Sequence, residues 1–134
     1  MSQKNVDIAR RVVDAVNRRD VTTLDSLWSE EGEFNSRLAA SEGHVFRGRQ
    51  GIRDYFAWLD EAFEEFRSEV EEIIDAGQDR VVALLRASVR GKASGVPLDD
   101  QPFAIVFTFQ GERIARADSY LSPAEALEAA GLSD

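Results

Sequence analysis

Two alternating apolar runs near the C-terminus constrain the fold more than any other feature of this chain. Residues 101–109 and 114–121 alternate apolar with polar side chains, and residues 110–113 between them contain a glycine. This pattern predicts a β-hairpin. Ser122 precedes a proline and, three positions on, a glutamate, which is the pattern of a helix start, and Gly131 is typical of a helix end. We therefore expect an α+β protein with a closing C-terminal helix.

Three more helices are predicted in the first half of the chain. Residues 6–16 place apolar side chains mostly at three- and four-residue steps, as an amphipathic helix does. Asp20 can cap a short second helix, and residues 51–66 carry a wide aromatic stripe that predicts a third. The apolar side of the second helix is expected to consist of Leu24, Leu27 and Trp28.

The remaining segments are predicted to be strands and loops. Residues 33–38 can form a strand, and residues 39–51 have the composition of an irregular loop that holds the single histidine, His44. Two further strands are expected at residues 70–76 and 81–89. A longer polar connection over residues 91–100 leads to the hairpin. Because consecutive strands with short connections are normally antiparallel neighbours, we expect an antiparallel sheet.

The composition excludes several classes of function. The chain has no cysteine and one histidine, which rules out thiolate and multi-histidine metal sites within one chain, and no metal or other cofactor is expected. A net charge of −9 argues against binding to nucleic acids or to anionic membrane surfaces. The N-terminus is too polar for a signal peptide, so we expect a cytoplasmic protein in which residues 1–134 form one domain.

Three segments carry a resemblance to a known family: residues 46–52 (FRGRQGI), 91–96 (GKASGV) and 120–132 (YLSPAEALEAAGL). Together with the order of helices and strands, they resemble the nuclear transport factor 2-like superfamily, and within it the polyketide-cyclase-like (SnoaL-like) branch. The resemblance implies a curved antiparallel sheet wrapped around helices to form a cone, the cystatin-like α+β roll. It also implies a mainly apolar pocket for a small apolar molecule, and a homodimer formed through the outer face of the sheet.

One reaction of the superfamily depends on a carboxylate in the first strand region. Ketosteroid-isomerase-like members use that carboxylate as a base, and the matching position here holds Asn35 or Ser36. Glu33 takes the position only if the alignment is shifted, because a one-residue slip of a strand exchanges its two faces. The isomerase mechanism is therefore not expected in its usual form.

A second reaction of the superfamily depends on an Asp-Arg-Asp set on facing strands. Epoxide-hydrolase-like members activate water with these side chains, whereas the matching positions here are Leu85, Ala87 and Ser119. A gap in the loop over residues 91–100 would bring Arg86 and Ser88 to two of these positions instead. The hydrolase set is therefore not expected.

Cyclase-like members use an aspartate as general acid and base with help from a histidine or asparagine. Asp118 and His44 are the candidates for this catalytic role. In an extended strand Arg116, Asp118 and Tyr120 share one face. If that face points into the cone, Asp118 belongs to the pocket wall, and if it points outward, these residues form ion pairs at the surface or in an interface. The outward orientation is the commoner one for charged strand faces.

The predicted function is binding of a small apolar molecule, with cofactor-free isomerase or cyclase chemistry by general acid–base catalysis on that molecule. The alternative is a ligand-binding or dimerisation module without catalysis. The side chains expected to contact the ligand are aromatic or polar residues from the helices and strands. They are Trp28, Phe34, Asn35, Tyr55, Phe56, Leu59, Arg86, Ser88, Phe107 and Tyr120.

Overall fold

The computed structural model describes residues 2–36, 45–91 and 97–132, and its architecture is α+β. Four helices and six strands occupy the described chain. In chain order they are α1 (Ser2–Arg18), α2 (Val21–Leu27), β1 (Trp28–Asn35), β2 (Phe46–Arg47), α3 (Gly48–Ala62), β3 (Phe63–Gly77), β4 (Arg80–Gly91), β5 (Pro97–Gln110), β6 (Arg113–Tyr120) and α4 (Pro123–Ala129).

The six strands form one sheet in the order β2-β1-β6-β5-β4-β3. Neighbouring strands are antiparallel except for β1 and β6, which run parallel. In the described chain β2 and β3 lie at opposite edges, so the sheet is open rather than a closed barrel. Bulges interrupt the pairing, for example between Val70 and Glu72 in β3 and between Ala87 and Val89 in β4. Bulges bend strands and increase their twist, and they give this sheet the curvature of the predicted cone.

Two hydrophobic clusters lie on opposite faces of the sheet. On the inner face α1 and α3 pack against the strands, and Leu59, Leu85 and Phe107 are fully buried there. On the outer face α4 packs against β5, and Ala126 and Val106 belong to that smaller cluster. Because successive side chains of a strand point to opposite faces, these clusters determine which residues point into the cone.

The predicted helix caps are confirmed. The carboxylate of Asp20 accepts a hydrogen bond from the backbone N–H of Thr23 at 3.0 Å and caps α2. The hydroxyl of Ser122 accepts from the backbone N–H of Glu125 at 3.4 Å and caps α4. Gly131 follows α4 with a φ of 79°, a conformation in which an L side chain would be strained. Local sequence signals therefore determine where these two helices begin and where α4 ends.

The edge strand β3 is fixed to α1 by a single amide side chain. Asn17 donates from Nδ2 to the carbonyl oxygen of Ser68 at 2.7 Å, and its Oδ1 accepts from the N–H of Ser68 at 3.0 Å. Asn17 therefore pairs both backbone groups of an edge residue as a neighbouring strand would. An edge strand with unpaired backbone groups can pair with another chain, and this contact prevents such pairing at Ser68.

The end of the third helix differs from the prediction. The aromatic stripe over residues 51–66 predicted one helix, but α3 ends at Ala62, and Phe63 and Phe66 belong to β3. Both rings nevertheless pack against the inner cluster, because a bulge between Phe63 and Glu65 places residues three apart on the same face. A three-residue spacing is also typical of a helix, and this coincidence made the prediction wrong.

The start of the first strand also differs from the prediction. Trp28 was expected on the second helix, yet it begins β1, and its ring packs directly over Gly32. A methyl group on Gly32 would lie 2.6 Å from the Trp28 indole, so the tryptophan can fold back only over a glycine. β1 therefore begins five residues before the predicted strand over 33–38 and ends at Asn35, and residues 37 and 38 lie outside the described residues. Similarly, β3 begins before residue 70 and β5 begins at Pro97, within the predicted connection.

None of the helices within residues 2–36, 45–91 and 97–132 combines the length and the apolar character needed to cross a bilayer.

Candidate functional site

Two cavities lie between the inner face of the sheet and the helices. The smaller has a volume of about 60 Å³ and lies beside α1, α2 and the start of α3, with Trp28 and Phe107 in its wall. The larger has a volume of about 330 Å³ and is lined mainly by apolar side chains of the strands. Its wall includes Phe66, Ala87, Val89, Phe103, Ser119 and Leu121.

The two cavities follow one another along the strands. In β5, Phe107 lines the smaller cavity and Phe103 the larger, and in β6, Ala117 lines the smaller and Ser119 the larger. Phe34 of β1 lines both cavities. The strands therefore define a single axis, with the smaller cavity at one end and the larger at the other.

Tyr55 of α3 also lines both cavities and is the centre of an aromatic cluster. Its ring centroid lies 4.9 Å from that of Phe34 and 5.2 Å from that of Phe46, both in edge-to-face arrangements. It is stacked on Trp58 at 6.2 Å. Edge-to-face aromatic pairs are favourable beyond the area they bury, so this cluster holds the tyrosine in one orientation.

The hydroxyl of Tyr55 makes no hydrogen bond to any other residue in the described chain. Burial raises the pKa of Tyr55 well above its ordinary value of 10.0, and the nearby charge of Arg19 counteracts only part of this effect. The phenol is therefore protonated at neutral pH and can donate a hydrogen bond. A donor without a partner on the wall of an apolar cavity is suited to a ligand oxygen or nitrogen.

Two buried serines add polar groups to the larger cavity. Ser36 and Ser119 are 4% and 6% exposed, and both line this cavity. They follow directly on the parallel pair of Asn35 and Asp118, so they continue the same register on the inner face. Both serines already have interaction partners. They add polar groups to the wall of the larger cavity, two residues beyond Phe34 and Ala117 along β1 and β6.

Arg19 brings a positive charge to the back of the aromatic cluster. It has a left-handed φ of 55°, and its guanidinium carbon lies 5.5 Å from the ring centroid of Phe56. Its Nη1 donates to the carbonyl oxygen of Val16 at 2.8 Å, while its Nε lies 3.6 Å from Asp60. Among the described side chains this Nε is the buried polar atom that lacks a hydrogen bond. Cation–π geometry of this kind draws the arginine onto α3.

The sequence model of the SnoaL-like domain matches residues 9–117, which is most of the chain. The chain belongs to the SnoaL-like family. Its superfamily neighbours among solved structures include nuclear transport factor 2-like proteins, as the sequence resemblance implied. No curated protein matches the SnoaL-like chain significantly.

Several solved structures share the fold of this SnoaL-like chain. A nuclear transport factor 2-like protein of unknown function from Burkholderia pseudomallei has a TM-score of 0.79 and 21% identity, with 96% of this chain and 97% of that chain covered. TerC co-crystallised with polyporic acid has a TM-score of 0.77 and 18% identity over 96% and 98% of the two chains. A SnoaL-like polyketide cyclase from Jannaschia sp. CCS1 has a TM-score of 0.74 and 17% identity, with 88% of this chain and 85% of that chain covered. At these identities the likeness shows the fold.

Asp118, the predicted acid–base residue of this SnoaL-like chain, points away from both cavities. It alternates with Ala117 and Ser119, which line them, and its side chain is 14% exposed on the outer face. Its carboxylate accepts from Asn35 Nδ2 at 3.0 Å and from Arg116 Nε at 2.9 Å. The hydrogen bond between Arg116 and Asp118, followed by the negative charge of the Asp118 carboxylate, raises the pKa of Arg116. The second predicted acid–base residue, His44, lies outside the described residues.

The other predicted ligand contacts are divided between the two faces. Trp28, Phe34, Tyr55 and Phe107 line the cavities, whereas Phe56 and Leu59 are buried in the inner core without lining either cavity. Asn35, Arg86, Ser88 and Tyr120 alternate with inner-face residues and so lie on the outer face. Arg86, for example, donates from Nε to Glu71 at 2.8 Å. The predicted contact and catalytic roles of these residues stay predictions.

Several residues that line the larger cavity were not among the predicted ligand contacts. They are Ser36, Phe66, Ala87, Val89, Gln101, Pro102, Phe103, Ser119 and Leu121. Alternate residues of a strand share a face, so two of these residues could have been predicted. Ser36 lies two positions after Phe34, and Phe103 lies four positions before Phe107. The positions of the missing hydrolase set, Leu85, Ala87 and Ser119, do point inward, but their side chains cannot activate water.

Within the described residues, no three side chains of the types that hold metal ions come together.

Proposed function

We propose that this SnoaL-like protein binds a small, largely apolar molecule in the larger cavity, and that Tyr55 donates a hydrogen bond to an oxygen or nitrogen acceptor of that molecule. The observation that carries the proposal is Tyr55, whose side chain lines a cavity of about 330 Å³ and whose hydroxyl has no hydrogen-bond partner in the described chain. Binding sites for small molecules typically combine an apolar wall with a few placed polar groups.

The size and lining of the cavity support this ligand class. A volume of about 330 Å³ is at the lower end of the range of roughly 300–1,000 Å³ typical of ligand sites. Phe66, Phe103 and Leu121 give apolar contact area, and Ser36 and Ser119 add polar groups. A protein of the same fold, TerC, has been co-crystallised with a small molecule, polyporic acid.

The positions of the charged residues favour binding without catalysis. Neither cavity is lined by a described Asp, Glu, Lys or Arg side chain. General acid–base catalysis requires the catalytic group within hydrogen-bond reach of the reacting atom, and Asp118 is ion-paired on the other face of the sheet. We therefore place ligand binding first, and isomerase or cyclase chemistry second.

A calorimetric titration with two matched probes tests the proposal. 1-Tetralone carries a ketone oxygen on an apolar bicyclic frame, and tetralin is the same frame without the oxygen. We expect the wild-type protein to bind the ketone more tightly than the hydrocarbon, and the Tyr55→Phe variant to lose that preference. A neutral hydrogen bond contributes about 0.5–1.5 kcal/mol, which corresponds to a factor of about 2–12 in Kd.

The matched control is Tyr120→Phe, which removes the same hydroxyl from the outer face of the sheet. It should leave the affinity for both probes unchanged. No binding of either probe would refute the proposal, and an equal effect of the two substitutions would refute the role of Tyr55.

A further inference from the structure

We propose that Phe34, supported by Tyr55, forms a wall across the cone and so sets the maximum length of the ligand. This inference rests on the proposed ligand binding and adds a determinant of specificity to it. The wall confines a compact ligand to the larger cavity and excludes it from the smaller one. Longer ligands are rejected because the ring of Phe34 occupies the path between the two spaces.

The position of Phe34 in the strand order supports the wall. Along β5 and β6 the residues of the smaller cavity, Phe107 and Ala117, are followed by those of the larger cavity, Phe103 and Ser119. Phe34 pairs with Ala117 in the sheet and lines both cavities. It therefore lies at the boundary, at the level where the lining changes from one cavity to the other.

The contacts of the ring explain why this boundary is closed. The Phe34 ring meets Tyr55 edge-to-face with 4.9 Å between centroids, so the strand and α3 touch across the cone. Phe46 lies behind it, stacked at 6.3 Å from Phe34 and in contact with Tyr55. Because Phe46 and Tyr55 also contact each other, they stay in place when the Phe34 ring is shortened. Shortening that ring would join the two cavities.

A series of alkyl phenyl ketones measures the length limit. Acetophenone, butyrophenone, hexanophenone and octanophenone share one acceptor oxygen and differ in the length of the apolar tail. Each buried methylene should increase the affinity about fourfold until the larger cavity is full. For the wild-type protein we expect the affinity to pass through a maximum within the series. For Phe34→Leu and Phe34→Ala we expect that maximum to move to a longer ketone.

Two variants and one control make the result decisive. Phe34→Leu keeps an apolar side chain and gives the answer if Phe34→Ala does not fold. Phe109→Leu shortens a buried ring of the inner core that lines neither cavity, and it should leave the position of the maximum unchanged.

Three results would overturn the wall. The maximum could stay at the same ketone in both Phe34 variants, or it could move as far in Phe109→Leu. The affinity of the wild-type protein could also rise through the whole series, which would mean that tails leave through the outer end beside Leu121. In all three cases the proposed ligand binding would stand, whereas a wild-type protein that binds none of the ketones would refute both proposals.

Discussion

Replacing Asn17 by alanine is expected to destabilise the protein by about 1–3 kcal/mol. The substitution removes two hydrogen bonds from the side chain to the backbone of Ser68, of 2.7 and 3.0 Å, and each such bond contributes about 0.5–1.5 kcal/mol. It also leaves both backbone groups of Ser68 without that partner on the edge of β3. Urea unfolding followed by circular dichroism measures the loss, which corresponds to a midpoint shift of about 1 M for an m-value of about 2 kcal/mol/M.

Gln3→Ala is the matched control for this prediction. Gln3 is an amide residue on the same helix, but it is exposed and within the described residues its side chain bonds only to Asp7, so its loss should change the unfolding free energy by less than about 0.5 kcal/mol. Asn17→Asp should be intermediate or worse, because a carboxylate can accept from the Ser68 N–H but cannot donate to the Ser68 carbonyl. If Asn17→Ala were no more destabilising than Gln3→Ala, α1 would not be fixed to the edge strand as described.

Three further predictions concern glycine packing and pH. Gly32→Ala should cost about 1–3 kcal/mol and change the fluorescence of Trp28, because the new methyl group would lie 2.6 Å from the indole; unchanged urea unfolding and emission would contradict this. Burial raises the pKa of Tyr55, so the stability from its neutral phenol is complete below about pH 10 and is lost as the pH rises through the folded-state pKa. Raising the pH above about 10 should therefore lower the unfolding free energy of the wild type more than that of Tyr55→Phe. The same pH dependence in both proteins would contradict this prediction. The side-chain hydrogen bond from Thr23, followed by the backbone one, lowers the pKa of Asp20, whose contribution is lost as the pH falls below about 4. Asp20→Ala should lower the Tm at pH 7 and weaken the acid dependence, and an unchanged Tm would contradict the cap.

The elements that the sequence predicted well are those with local causes. The cap at Ser122, the turn between β5 and β6, and the short helix after Asp20 each depend on a few adjacent residues, and the structure confirms them. The end of α3 depends instead on the pairing of Phe63 with Gly91, which is far away in sequence. Such pairing overrides the local helical period, and no local pattern could reveal it.

The candidate site was predictable only in part for a related reason. The rings of Phe34, Tyr55 and Phe107 follow from the aromatic composition, but the serines of the larger cavity depend on the parallel pairing of β1 with β6. Without that pairing the inner face of each strand is open to interpretation, and Asp118 stayed a candidate for the cavity wall although the outward orientation was the commoner one for its strand face. A homodimer and a cytoplasmic location stay predictions.

The most direct test of the account is a crystal structure of the protein with 1-tetralone. We predict that the bicyclic frame lies in the larger cavity against Phe66 and Phe103, with the ketone oxygen about 2.7 Å from the Tyr55 hydroxyl, as expected for an O–H···O hydrogen bond. A ligand bound on the outer face beside Arg116 and Asp118, or a larger cavity that stays empty at saturating ligand, would contradict the account.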